Sequence, residues 1–409
     1  MKLKTLISFL FTVFFVQLYG QEHSISIEAL LDDKKDILRI QQTIVFANQS
    51  DSTFTEIYLH NWPNGYRSKN SPLSQRLIED YDKTLYFAKD KDRGYTEINN
   101  LTVDFESVSF LELSKDQSDI MKVLLNKPLK PKDSITIRTA YEVKIPNASF
   151  TRYGRTKKGY DLRYWYLVPA VYQKQWKLMS NLNMDDLLTN PTNYEVKIKL
   201  PKYYFLSSNL YEYKTPKSDH NEHLLVGKNK TEVLLSINTL DNFKSFKTKD
   251  IDIKTDLYQP KLSKELSKDI LNRQLLFVKQ YLGEYPHKEM FIDKATQRKN
   301  PIYGLNQLPR FIRPFPDVFE WDLTMLKAMT KKYIENTLML DRRKDYWLTD
   351  GLQTYLMMVY VDTYYPEIKL AGNLAKVWGF RGFNFSKLDF NDKYPFVYQF
   401  SADNSLIKH

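Results

Sequence analysis

The spacing of apolar residues changes once along this chain, near Lys247, and that change constrains the fold more than any other feature. Before it, SISIEAL, ILRIQQTIVFAN, FTEIYLHNW, DSITIRTAYEVKI, NYEVKIKL and EVLLSINTL alternate apolar and polar residues. That period of two belongs to strands with one buried face. Asn, Asp, Pro, Lys and Ser separate the runs, and YRSKNSPLSQRLIEDYDKTLYFAK reads as a helical interruption. After the change, KLSKELSKDILNRQLLFVKQYLG puts Leu262, Leu266, Ile270, Leu275, Val278 and Leu282 on one helical stripe. Pro260 before it and Gly283 after it are helix start and stop signals. KEMFID reads as a short strand, and PIYGLNQLPRFIRPFPD is too rich in proline for a central one. WDLTMLKAMTKKYIENTLML, DYWLTDGLQTYLMMVYVDTYY and PEIKLAGNLAKVWG read as three further helices. The order predicts an α+β multidomain chain: an all-β sandwich-like domain over 21–246, then a mainly helical domain over 247–409.

The totals support two cores. The chain has 409 residues, of which 42% are hydrophobic, 14% aromatic and 27% charged. With Tyr at 29, Phe at 24 and Gly at only 12, it is not a disordered composition. The net charge of +11 comes from lysines scattered among Asp and Glu, without a long basic block or a basic-aromatic reader motif. That is a solvated surface, and no nucleic-acid partner is expected.

MKLKTLISFLFTVFFVQLYG, residues 1–20, has a basic start, an apolar run from Leu6 to Leu18 and a small residue at Gly20. It reads as a secretory signal peptide. The run is short of the roughly twenty residues that a membrane span needs, and no later segment is apolar enough to span. Cysteine is absent, so there is no disulfide framework. The expected location is across an inner membrane, in a bacterial periplasm or on the cell surface.

The motifs IVFANQS, EIYLHNWPN and LTNPTNYEVKIKLPKYYFLSSN in the first part, and LGEYPHKEMFI, GLNQL, KYIENT and WLTDGLQTYL in the second, stand in a fixed order. On them, the chain resembles the M1 family of zinc aminopeptidases, which are gluzincins of thermolysin-like fold. The resemblance covers most of the mature chain. It implies a saddle-type β domain followed by a catalytic-type domain. In that family H-E-x-x-H on one helix supplies two imidazoles and a general base. A carboxylate nineteen residues beyond the second His completes the zinc site, and a G-x-M-E-N-like loop holds the substrate's amino group.

Laying WLTDG on that frame puts Asp350 at the carboxylate position. Lys327-Ala328-Met329-Thr330-Lys331 then replaces H-E-x-x-H. Gly304, Asn306 and Gln307 fall on the substrate loop, with Gln307 where the amino-binding Glu would sit. Asn336 and Trp347 keep their frame positions. Zinc, expected in active relatives, is not expected here: an ammonium has no lone pair for a metal, and Ala328 accepts no proton. The resemblance also implies a transition-state tyrosine further downstream than His409, with Tyr394 and Tyr398 the nearest candidates, and a truncated closing helical part. The expected function is a catalytically inactive M1 peptidase-like protein that binds a peptide or a protein partner. The alternatives are an active zinc aminopeptidase with unusual ligands and a truncated relic. Lys327 and Lys331, one turn apart, are expected to form an ion-pair plug with Asp350.

Other candidates read as structural. His220, Glu222 and His223 form a surface turn entering a strand. His60 packs at a strand end, and His287 sits in a turn. Asp185 and Asp186 are a loop or helix cap, and RYWYLVPAVYQKQW (163–176) is core and edge packing.

Overall fold

The computed structural model describes residues 22–115, 117–213, 222–297 and 315–367. The helix expected at PEIKLAGNLAKVWG falls almost entirely outside them. The first part is built on an eight-stranded sheet. Its order is Tyr211–Tyr213, Glu222–Lys230, Thr192–Lys199, Ser24–Asp32, Ile37–Ala47, Ser134–Lys144, Tyr95–Val103 and Glu106–Ser107. The pairing of Ser24–Asp32 with Thr192–Lys199 is parallel, whereas Ser24–Asp32 with Ile37–Ala47 and Ile37–Ala47 with Ser134–Lys144 are antiparallel. The alternation seen in the sequence is the alternation of burial: Ile25, Ile27, Ala29 and Leu31 face inward from one strand, and Leu38, Ile40 and Ile44 from the next. Two four-stranded sheets, one around Phe54–His60 and Ile120–Leu129, the other around Gly159–Leu162 and Leu235–Asn238, and a two-stranded one of Tyr172–Gln173 and Gln175–Trp176 complete this part.

Large aromatics fill the space between the sheets. Trp62, Tyr66, Tyr141 and Tyr166 are fully buried, and Tyr164 and Trp165 lie beside them. The aromatic run at 163–176 is core up to Val171 and edge strand beyond it, as expected. Each fully buried side chain of this size contributes about 1.5–3 kcal/mol, and several polar atoms among them find partners, whereas Trp165 Nε1 is buried without one. Gln42 Nε2 donates to the Leu167 carbonyl at 2.7 Å, and Tyr166 and Tyr194 hydroxyls meet at 3.1 Å.

The second part has its own core, running from Phe246 to Val361. A three-stranded sheet of Lys244–Lys247, Asp252–Thr255 and Glu289–Ile292 packs with three helices. They are a first helix (Lys264–Leu282), a lysine helix (Asp317–Thr337) and a tryptophan helix (Tyr346–Tyr364). The first helix starts where Ser263 Oγ accepts from Leu266 N at 3.1 Å and stops at Gly283, whose φ is 78°. Its buried face is Ile270, Leu271, Gln274, Leu275, Phe277 and Val278. Leu266, placed on that stripe by spacing, is 43% exposed, because it lies in the first turn at the margin of the packed face. A buried carboxylate joins the helices: Asp322 accepts from Tyr360 Oη at 2.9 Å and is also bonded by Gln274, Arg273 and Tyr365.

Candidate functional site

A cavity of about 320 Å³ opens between the two parts. One wall is an insert helix, Pro72–Glu79, together with a loop around Leu182–Asp186. The other wall is the lysine helix and the start of the tryptophan helix. The lysine helix is divided by its spacing. Leu326, Met329, Thr330 and Tyr333 turn into the core, whereas Lys327, Ala328 and Lys331 line the cavity. Lys327 and Lys331 stand at i and i+4, so one turn presents both. Gln353 fixes this helix to the tryptophan helix: its Nε2 donates to the Lys327 carbonyl at 2.8 Å and to Thr330 Oγ1 at 3.2 Å. Asp350, three residues earlier, lines the same cavity.

The structure thus brings Lys327, Ala328, Lys331 and Asp350 together, but the expected pairing is corrected. Lys331 Nζ bonds to Asp185 at 2.7 and 3.0 Å and lies 3.8 Å from Glu335. It is not paired with Asp350. The physical reason is competition. Asp185 and Glu335 are almost buried, at 13% and 7% side-chain exposure, so their charges are poorly screened and draw the ammonium more strongly. Lys327 has a contact of its own.

Behind Lys331 lies a buried ion network that ties the two parts together. Arg163, at 1% exposure, bonds to Asp185 and, at 2.6 Å, to Glu232. Lys332 reaches Glu232 at 3.1 Å and Glu335 at 3.3 Å. Arg342 bonds to Glu335 and to the Asp185 carbonyl. Arg343 grips Asp186 with two bonds of 2.8 and 2.9 Å and donates to the Ser180 carbonyl at 2.9 Å. Burial opposes the ionisation of Asp185, but Lys331, Arg163 and Arg342 outweigh it and hold the carboxyl well below the usual range. Burial likewise opposes Glu232, and Arg163 and Lys332 pull it down to about 2. Lys332 is driven up by Glu232 and Glu335 against its own desolvation.

Asp185 and Asp186 sit in a loop, as expected, yet they face the cleft and carry its ion pairs. The sequence reading missed Arg163, Glu232, Lys332 and Glu335 altogether. The one local signal was the i, i+3 and i, i+4 spacing of Lys332 and Lys331 to Glu335. The partners of Lys331 and Lys332 in the first part are 100 or more residues away, beyond any local pattern.

The histidines are structural where they are described. His60 ends its strand, fully buried, and its Nε2 accepts from Met179 N at 3.0 Å. Burial, with the nearby Arg343 charge, pushes it down to about 3, so the ring is neutral. His287 precedes the strand Glu289–Ile292, and burial and Lys230 push it down to about 4. His223 bonds to Glu212 at 2.8 Å, whereas Glu222 pairs with Lys197 and Lys199. His220, Gly304, Asn306, Gln307, Tyr394 and Tyr398 lie outside the described residues. Among the described residues no group of three or more His, Cys, Asp or Glu is arranged to hold a metal ion.

No family model and no curated protein matches the chain. Solved structures do. A glutamate-to-alanine mutant of the M1 zinc metallopeptidase from Deinococcus radiodurans superposes with a TM-score of 0.52 at 10% identity, over 90% of this chain and 75% of that one. The fold is M1-like. The same mutant enzyme bound to a Tyr-Ser-Ala substrate gives 0.51 at 11% identity, over 90% of this chain and 75% of that one. A two-domain M1 zinc metallopeptidase mutant bound to L-arginine gives 0.51 at 10% identity, over 88% and 74%. The M1-like fold accounts for the order of a mostly β part followed by helices, and for a cleft where the two meet. No helix among the described residues is long and apolar enough to cross a membrane.

Proposed function

We propose that this protein is a non-catalytic M1-like chain that binds a peptide or a protein segment in the cleft between its β part and its helices. The observation that carries this reading is the Lys331 ammonium, ion-paired to Asp185 at 2.7 Å, where the family resemblance puts the second imidazole. Zinc needs a nitrogen lone pair at that position, and a protonated amine offers none. Burial lowers the pKa of Lys331, but Asp185 and Glu335 act against that and favour the cation. Ala328 stands where a general base is required and accepts no proton. The donor set of Lys327, Ala328, Lys331 and Asp350 does not fit zinc, and no hydrolytic step is drawn through a metal. A peptide-class occupant is supported by the cleft itself and by the L-arginine and Tyr-Ser-Ala held by similar structures. From residues 1–20 we infer export, to a bacterial periplasm or cell surface.

The test is metal analysis of the purified full chain, together with hydrolysis of an aminoacyl-anilide. The expected result is less than stoichiometric zinc and no chelator-sensitive turnover. Stoichiometric zinc with turnover that a chelator abolishes overturns the reading.

A further inference from the structure

The tryptophan helix is apolar on more sides than the core uses. It carries two charged residues in nineteen, Asp350 and Asp362, where the first helix carries six in nineteen. Thr349, Gln353, Leu356, Met357, Tyr360 and Val361 make its buried face. The opposite face runs through Leu348, Leu352, Tyr355 and Val359, at i, i+4, i+7 and i+11, with Trp347 beside it. Leu352 and Val359 are half-buried, whereas Trp347 is 65%, Tyr355 53% and Leu348 38% exposed. A helix apolar all round belongs inside a protein, and a contiguous apolar face with a tryptophan on it marks a contact.

The sequence that follows fits that face. Only Tyr365, Pro366 and Glu367 separate the helix from Ile368, and a connection this short sends a following helix back along the first. Leu370, Ala371, Leu374, Val377 and Trp378 keep helical spacing between Pro366, a start signal, and Gly379, a stop signal. The charges match as well. Residues 368–383 contain Lys369, Lys376 and Arg381 and no acid. The tryptophan helix contains acids and no base, and its last turn, which carries Asp362, is the negative end of the helix dipole. The same face of a second copy has no base to offer.

We propose that residues 368–383 of this chain cover the exposed face of the tryptophan helix as the returning arm of a helical hairpin. Leu374, Val377 and Trp378 replace water on Leu352, Tyr355 and Val359, and Lys369 comes to the end that carries Asp362. The contact stiffens the helix whose other side brings Asp350 and Gln353 to the cleft. It stands apart from the reading of what the cleft binds.

The chain contains no cysteine, so a disulfide between two introduced ones reports the contact in the full chain without background. Tyr355 lies as far before Tyr364 as Val377 lies after Ile368, which sets the two opposite each other across the hairpin. Tyr355→Cys with Val377→Cys is expected to close an intramolecular disulfide at least about tenfold faster than Tyr355→Cys with Lys376→Cys, because position 376 lies off the apolar stripe. Equal rates, no closure, or a covalent dimer as the main product overturns the proposal, the last in favour of a second copy. Hydrogen exchange of the unmodified full chain reads the same contact without a substitution. The amides of residues 370–378 are expected to exchange at least about a hundredfold more slowly than those of a free peptide of the same sequence. Exchange at the peptide's rate overturns the proposal and leaves the face to a separate partner.

Discussion

At the scale of single residues, the cleft is governed by how many partners each buried charge keeps when one is lost. Arg163 serves both Asp185 and Glu232 from a position with 1% exposure. Arg163→Met takes one partner from each of two buried carboxylates, which keep Lys331 and Lys332, so its cost is expected at the lower end of that for breaking a buried pair, about 3 kcal/mol. Lys331 is 23% exposed, and Asp185 retains Arg163 when it goes. Lys331→Met is therefore expected to cost only about 1 kcal/mol, near the upper end for a part-exposed pair. Parallel urea titrations of the two variants check this. If the two substitutions cost the same, the charges are not shared in the way the contacts indicate.

At the scale of elements, two kinds of helix end stand side by side. The first helix is fixed at both ends by its own sequence, with Ser263 Oγ accepting from Leu266 N and Gly283 at φ 78°. Ser263→Ala is expected to lower stability by about 1 kcal/mol. Gly283→Ala is expected to lower it by a similar amount, about 1 kcal/mol, through backbone conformation alone, because a Cβ there meets nothing within 4 Å. Thermal melts of both variants measure this, and a neutral Gly283→Ala would show that the helix end relaxes. The lysine and tryptophan helices have no side-chain cap bond at Pro316 or Asp345, so packing holds them. This difference tracks what could be read in advance. Strands and helices announced themselves through local period, caps and stops, and the aromatic run at 163–176 through its apolar density. The carboxylate that captures Lys331 did not, because Asp185 lies 146 residues away and only the folded chain brings it near. Trp347, which keeps its position in the family frame, is 65% exposed.

At the scale of the whole molecule, two sets of carboxyls set opposing limits on pH. Desolvation raises Asp161 to about 6, and desolvation with the nearby Asp293 charge raises Asp256 to about 7. Asp161 belongs to a strand of the β part, and Asp256 follows a strand of the second sheet. Both ionise near the ordinary aspartate value of 3.8 once the chain unfolds. Their contribution is thus fully present below that value and is lost as pH rises through about 6 and about 7. The cleft acids run the other way. Glu232, held at about 2 against an ordinary 4.5, contributes above 4.5 and loses its contribution as pH falls through about 2. His60 and His287, held neutral at about 3 and about 4 against an ordinary 6.5, lose their contribution as pH falls from 6.5 through those values, so below pH 6.5 they oppose the two raised aspartates. Above about pH 6.5 the histidine contribution is complete while the Asp256 loss continues toward about 7, so the melting temperature is expected to decline from pH 6.5 to pH 8. Asp256→Asn keeps an oxygen to accept the 2.8 Å bond from Lys294 N but cannot ionise, so it is expected to raise the melting temperature at pH 8 and to flatten the decline. A wild-type melting temperature that stays level from pH 6.5 to pH 8, or an Asp256→Asn variant that melts with wild type at pH 8, would mean that water reaches this carboxyl.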